Sequence, residues 1–297
     1  MMIEFFSSHR SVCIGGVMRE DVRKRYFNMK PITLQSGIIY GPVSSRRLGR
    51  SLGLNASPTS YKLCSFNCVY CEYGCTSVYS IEIRDRLSDF PAPDDFERAL
   101  ETALRDNDSI DNITFSGNGE PTLHPRFDEL VDIARHLRDR YFPHARLGIL
   151  SNASTIDVEK VFRALANLNY RIMKLDTGKL ETFRKLNRPC GRVDYKVILD
   201  GLCSLENVTL QTMFIDGRIQ NVGDDEIRAW IERIGEIKPT KVQIYSLHRP
   251  PAEPSLLEVP QDRLRKIATR AEETTGVPIE VIVAASPYVR KPRRYWG

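Results

Sequence analysis

The sequence predicts an α/β fold on a mostly parallel sheet, either open or curved into a full or partial barrel. Three observations predict it. Short runs rich in β-favouring residues recur along the chain, amphipathic helical patterns separate them, and 297 residues at 41% hydrophobic supply a real core. Strand then helix, repeated about six times, is how a chain makes parallel neighbours.

Residues 1–28 show no clear period and are read as an N-terminal extension or a misread start, because Met29 opens "MKPITLQSGIIYGP". The first strand is "SLGLN" (51–55). A helix on Phe96, Leu100 and Leu104 leads to "NITFSG" (112–117). Phe127, Leu130, Val131, Ala134, Leu137 and Tyr141 follow a 3.6-residue period and precede "RLGILSN" (146–152). Val161, Phe162, Leu165 and Leu168 mark the helix before "RIMKLD" (171–176), and Val193, Val197 and Leu202 the one before "VTLQTMFID" (208–216). Ile227, Trp230, Ile231, Ile234 and Ile237 make a clear helix ahead of "KVQIYSL" (241–247). The repeating unit is placed at 29–255. Residues 256–297 form a C-terminal extension: a helix from about 260 to 274, a short strand "IEVIVA" (279–284) and a basic, aromatic tail.

Composition excludes some functions. No apolar run approaches the roughly 20 residues of a membrane span. Glu4 and the lack of a long apolar stretch make the N-terminus a poor signal peptide, so a cytoplasmic protein is expected. A net charge of +5 permits an anionic partner without demanding one. Seven cysteines, an odd number and clustered, do not read as a secreted disulfide framework.

The cluster is "CSFNCVYCEYGC" (64–75), four thiols in twelve residues just after the first strand. Thiolates suit zinc or iron–sulfur centres. Structural zinc usually takes four ligands in two close pairs, and here there is no second CxxC and the nearest downstream histidine is His124. With Cys75 included, the run C-x3-C-x2-C-x3-C departs from ferredoxin spacing. With Cys64, Cys68 and Cys71 alone, a [4Fe–4S] cube keeps one iron open to bind a small molecule and pass it an electron.

In parallel α/β folds, functional residues collect beyond the C-terminal strand ends. "SGNGEPTLHP" (116–125) follows the second strand. There Gly117 and Gly119 let backbone approach a ligand, Asn118 lies between them, and the Glu120 carboxylate can receive an ammonium; an ordinary turn is the plain alternative. Ser151 and Asn152 end the third strand, with Ser154 or Thr155 as a helix N-cap. Lys174 and Asp176 share a face at the end of the fourth, as cofactor contacts or as an ion pair. Gln211 and Met213 share a face of the fifth, and "YSLHRPP" (245–251) ends the sixth. In "GPVSSRRLGRSLGLN" (41–55), at least one of Arg46, Arg47 and Arg50 is expected to face the site.

C-x3-C-x2-C with aromatic Tyr70 before the last cysteine resembles the signature of the radical S-adenosylmethionine (radical SAM) superfamily. "SGNGEP" resembles that family's GGEP-type motif, with Asn118 where glycine is commonest. The resemblance implies a partial (β/α)6 barrel with N- and C-terminal extensions. It also implies a [4Fe–4S] cluster on Cys64, Cys68 and Cys71 that cleaves S-adenosylmethionine to a 5′-deoxyadenosyl radical, which abstracts a substrate hydrogen. Tyr70, Gly117, Asn118, Gly119, Glu120, Ser151, Asn152, Lys174, Asp176 and Gln211 become expected cofactor contacts, with backbone near 245–251 at the adenine. A one-electron reductant such as a flavodoxin or ferredoxin is implied.

"CVYCEYG", "SGNGEPTLHP", "KLNRP" and "HRPPAE" further resemble small stand-alone proteins related to wyosine-base synthases, which act on tRNA. The likeness covers roughly 38–255 and makes an RNA base the first substrate class and a protein side chain the second. The tRNA enzymes carry a second cluster on three upstream cysteines, whereas here only Cys13 lies upstream. Cys75 and Cys190 are left without a cluster role, and Cys203 is expected in the core. The tail (Tyr288, Arg290, Lys291, Arg293, Arg294, Tyr295, Trp296) reads either as an RNA contact or as a solvated terminus. Rival readings are an iron–sulfur electron carrier with Cys75 as fourth ligand, and a zinc-stabilised RNA-binding module.

Overall fold

The computed structural model describes residues 32–45, 49–283 and 294–296. The 1–28 extension, Cys13, Arg46, Arg47, Tyr288, Arg290, Lys291 and Arg293 lie outside the described residues.

Among the described residues nine strands form one sheet. β1 (Ile39–Ser45) and β2 (Gly49–Leu54) pair antiparallel. The strands that follow are parallel: β3 (Asn112–Phe115), β4 (Arg146–Ser151), β5 (Tyr170–Lys174), β6 (Val208–Met213), β7 (Lys241–Tyr245) and β8 (Ile279–Val281). β9 (Arg294–Trp296) pairs antiparallel with β1. The helices are α1 (Pro93–Arg105), α2 (Phe127–Tyr141), α3 (Glu159–Ala166), α4 (Leu180–Leu186), α5 (Tyr195–Ser204), α6 (Asp224–Ile237) and α7 (Gln261–Thr275).

The sheet order is β8-β7-β6-β5-β4-β3-β2-β1-β9. From β2 to β8 each strand lies beside its predecessor. A doubly wound sheet would reverse direction at a switch point. No reversal occurs here, so crossovers of one hand place the helices on one face and leave the other as the inside of an arc. β8 and β9 end the sheet at opposite edges, which makes the barrel partial.

Strand alternation sorts the residues. Leu52, Leu54, Ile113, Phe115, Leu147 and Ile149 are buried on the helix side. There Phe115 stacks on Phe96 of α1 and meets Phe127 of α2 edge-on. The inner face is more polar: Ser51 bonds Thr114 (2.9 Å), Thr114 bonds Tyr170 (2.7 Å), and Gln211 donates to Gln243 (3.4 Å).

Several elements differ from expectation. β1 hides in the sequence because Pro42 interrupts it; a register shift between Tyr40 and Val43 accommodates the proline. The run 208–216 breaks at Phe214, and Ile215–Gly217 pairs instead with Leu256–Glu258. Ser154 and Thr155 do not cap α3. The chain turns first, and Val158 stands at the N-cap without a side-chain bond. Cys203 is exposed rather than core, because the buried stripe of α5 runs through Tyr195, Ile198 and Leu202. In the tail, Trp296 lies in β9, packs on the core and donates to Asp106 (3.1 Å), so it is part of the sheet rather than a solvated terminus. No helix among the described residues is long and apolar enough to cross a membrane.

Candidate active site

The C-terminal ends of β3 to β6 open into a cavity of about 300 Å³, at the lower end of the range for small-molecule sites. The cysteine loop, the loop after β3 and the ends of β4, β5 and β6 line it. Lining residues include Cys64, Cys68, Cys71, Tyr70, Gly117, Gly119, Glu120, Ser151, Asn152, Lys174 and Gln211.

Backbone bonds clamp the cysteine loop from both sides. Leu63 N donates to Asn118 O (3.2 Å) and Glu120 N to Leu63 O (3.2 Å). Gly119 allows that approach, since a Cβ there would lie 1.6 Å from the Leu63 carbonyl oxygen. Gly119 thus serves the docking of two loops as well as the cavity wall. On the other flank Val69 N donates to Leu186 O (3.0 Å), Asn67 N to Asn187 O (3.1 Å) and Cys190 N to Ser65 O (2.9 Å). Cys190 therefore braces the loop through its backbone, and its thiol does not line the cavity.

Cys64, Cys68 and Cys71 are free thiols on one cavity. Burial pushes Cys64 well up and Cys68 to about 11, so a metal must displace their protons to bind. Cys75 lies beyond these three and does not line the cavity, so it is not placed with them as a fourth ligand. Between Cys71 and Cys75 the chain turns at Gly74, with φ 77°. A single zinc ion gathers its donors within about 2.3 Å of one point. Among the described residues no three His, Cys, Asp or Glu are so grouped. A cube takes each thiolate on a different iron, so three thiols around one cavity with no fourth fit a cluster with an open corner.

Glu120 is 2% exposed. Its Oε1 accepts from Thr122 N (3.2 Å), Thr122 Oγ1 (2.7 Å) and Ser151 Oγ (2.7 Å), and its Oε2 from Asn152 N (2.7 Å). Burial raises its pKa and these donors oppose the rise. Among the described residues no cation pairs with it. An oriented, buried carboxylate on a cavity wall can receive an ammonium group.

Lys174 and Asp176 part company. Lys174 lines the cavity, with Nζ 3.7 Å from Asp176 Oδ1 and 5.0 Å from the centre of the Tyr70 ring. Burial works against its ammonium, but Asp176 holds the pKa above the ordinary lysine value. Asp176 does not line the cavity. It accepts from Met213 N (2.8 Å), Asn187 Nδ2 (2.6 Å) and the Tyr70 hydroxyl, and so fixes the groups behind the wall. The Gln211 side chain lines the cavity and accepts from Tyr245 (3.2 Å).

Other expected contacts are placed elsewhere. Asn118 is fully buried, accepts from Gln35 N (2.7 Å), and donates to Gln35 O (2.8 Å) and Pro58 O (3.0 Å). Its amide staples the loop and does not line the cavity. Arg50 sits at the N-terminal end of β2, away from the site, and donates to Ser109 O (2.8 Å). Residues 245–251 are also absent from the lining. Side chains outside the expected set also line the cavity, among them Tyr40, Phe66, Tyr73 and Ser116, and two others bear on the cysteines. Lys62 lines the cavity beside Cys71, and Asn187 links Cys68, Tyr70 and Asp176. Asn187 falls in "KLNRP", a motif noted in the sequence without a role for the residue.

A family model for the radical SAM superfamily matches residues 59–234. A UPF0026 protein of Methanocaldococcus jannaschii is 32% identical over 80% of this chain and 72% of its own. A Brachyspira hyodysenteriae protein named GTPase Obg is 27% identical over 84% of this chain, which spans only 35% of that longer relative. Among solved structures, Streptococcus suis SuiB bound to S-adenosylmethionine superposes with a TM-score of 0.56 at 15% identity, over 78% of this chain and 50% of that one. TYW1 with a lysine–pyruvate adduct gives 0.51 at 16% identity, over 86% and 82%. The chain belongs to the radical SAM superfamily, whose enzymes use a [4Fe–4S] cluster and S-adenosylmethionine.

Proposed function

We propose that this chain is a radical SAM enzyme that initiates hydrogen abstraction from an RNA base. The observation that carries the enzyme reading is one cavity that, among the described residues, is lined by three free thiols and no fourth, together with a buried carboxylate that no described cation pairs with. Bound together, the cluster and S-adenosylmethionine supply a 5′-deoxyadenosyl radical.

Cys64, Cys68 and Cys71 hold the cluster. Glu120, oriented by Ser151, Thr122 and Asn152, takes the ammonium of the methionine moiety. Lys174, steadied by Asp176 and Tyr70, faces the same cavity with a cation suited to a carboxylate. Gln211 supplies an amide for the hydroxyl-rich remainder. Leu150 and Ile172 contribute apolar wall and exclude water. The RNA reading rests on the net charge of +5 and on the motifs that flank the site.

The test is anaerobic incubation of reconstituted protein with dithionite and S-adenosylmethionine, with release of 5′-deoxyadenosine measured. Release is expected, and added tRNA should accelerate it in a salt-sensitive way. No release refutes the enzyme reading. Release that tRNA leaves unchanged, but that a peptide pool accelerates, moves the substrate class to protein.

A further inference from the structure

Each of the three cysteine sulfurs receives one side-chain N–H, from Lys62 and Asn152 on the cavity wall and from Asn187 behind it. Asn152 Nδ2 lies 3.5 Å from Cys64 Sγ, Asn187 Nδ2 3.6 Å from Cys68 Sγ, and Lys62 Nζ 3.1 Å from Cys71 Sγ. Two of the donors are neutral amides and one is an ammonium. All three are buried: Asn152 at 7% exposed, Asn187 at 1% and Lys62 at 4%.

The amides have other duties. Asn152 also donates to Ser65 Oγ (2.9 Å), and Asn187 to Asp176 (2.6 Å). Lys62 is different. Among the described residues its one further bond is to the Gly74 carbonyl (2.8 Å), and no carboxylate pairs with it. Burying an ammonium without a counter-charge is costly. The anionic groups it can answer are the thiolates and whatever they bind. The Gly74 carbonyl fixes where it sits, because Gly74 turns the chain just past Cys71.

We propose that Lys62 is the fixed charge partner of the cluster and raises its reduction potential. This rests on the reading that Cys64, Cys68 and Cys71 bind that cluster. Reduction moves one electron from an external donor onto the cluster; no bond forms or breaks, and the centre becomes one unit more negative. A cation hydrogen-bonded to a ligand sulfur stabilises the reduced state more than the oxidised one. The uncharged amides on Cys64 and Cys68 bias the same equilibrium less, so the effect is concentrated at Cys71. Lys62 thereby determines how strong a reductant the enzyme needs.

The test uses full-length wild type, Lys62→Met, Lys62→Gln and Lys62→Arg, each reconstituted anaerobically. Iron is counted, and the cluster is titrated by EPR without S-adenosylmethionine. Lys62→Met should keep its iron while its reduction equilibrium falls about tenfold, a shift of about 59 mV to more negative potential for one electron. Lys62→Arg should restore most of the wild-type value. Lys62→Gln retains a donor but no charge. Should the Met variant fail to fold, a negative shift in Lys62→Gln supports the proposal and a wild-type potential there refutes it. A retained cluster with an unmoved potential in Lys62→Met overturns this proposal alone. A wild-type protein that takes up no iron overturns the cluster reading and this one with it.

Discussion

Among the described residues Glu120 holds four hydrogen bonds and no cation, and that imbalance can be measured. Burial raises its pKa, so the folded chain binds the proton more tightly than the unfolded chain. Stability of the cofactor-free protein should therefore fall as pH rises from the ordinary glutamate value through the raised folded value. Glu120→Gln should flatten that slope in denaturation series at several pH values; an unchanged slope would place its cause elsewhere. In reconstituted protein the same variant should bind S-adenosylmethionine more weakly, by about 1.5–3 kcal/mol for one lost charge-assisted bond. Calorimetry that returns the wild-type dissociation constant would contradict the role. Glu120, Ser151 and Asn152 were legible in the sequence because each is a polar residue at a strand end. Lys62 was not: a lysine in "SYKLC" looks like surface until the fold buries it. Asn118 misled in the other direction, since a polar residue between two glycines reads as a ligand contact when its partners are backbone groups of a distant loop.

Elements carry the site through their packing on the far side of the sheet. β3 holds the Gly-Asn-Gly-Glu loop, and Phe115 anchors β3 between Phe96 of α1 and Phe127 of α2. Phe115→Ala should cost about 3–5 kcal/mol of stability in urea unfolding; a loss below about 1 kcal/mol would mean that this cluster does not hold the strand. The strands with strong β-favouring runs were visible, as were the helices with a full apolar stripe. β1 was hidden because a proline interrupts its pattern and only pairing on both sides makes it a strand. α4 was hidden because seven residues are too few to establish a period. It matters all the same, since its C-terminal end delivers Asn187 to the back of the cysteine loop.

Across the whole molecule, unbroken strand order turns a list of motifs into one site. Cys64 follows β2, Glu120 follows β3, Ser151 ends β4, Lys174 ends β5 and Gln211 lies on β6, so adjacent strands present them around one arc. Alternation of strand and helix foretold a parallel sheet; it could not decide between an open and a curved one, because that depends on strand order. The central claim is that three thiols, and not four, hold a cluster that leaves a corner open. Iron content and the S-adenosylmethionine-induced change in the cluster spectrum of single Cys→Ala variants test it most directly. Cys64→Ala, Cys68→Ala and Cys71→Ala should each lose most of the iron, while Cys75→Ala should keep its iron and still respond to S-adenosylmethionine. A Cys75→Ala protein as empty of iron as the other three would contradict the account.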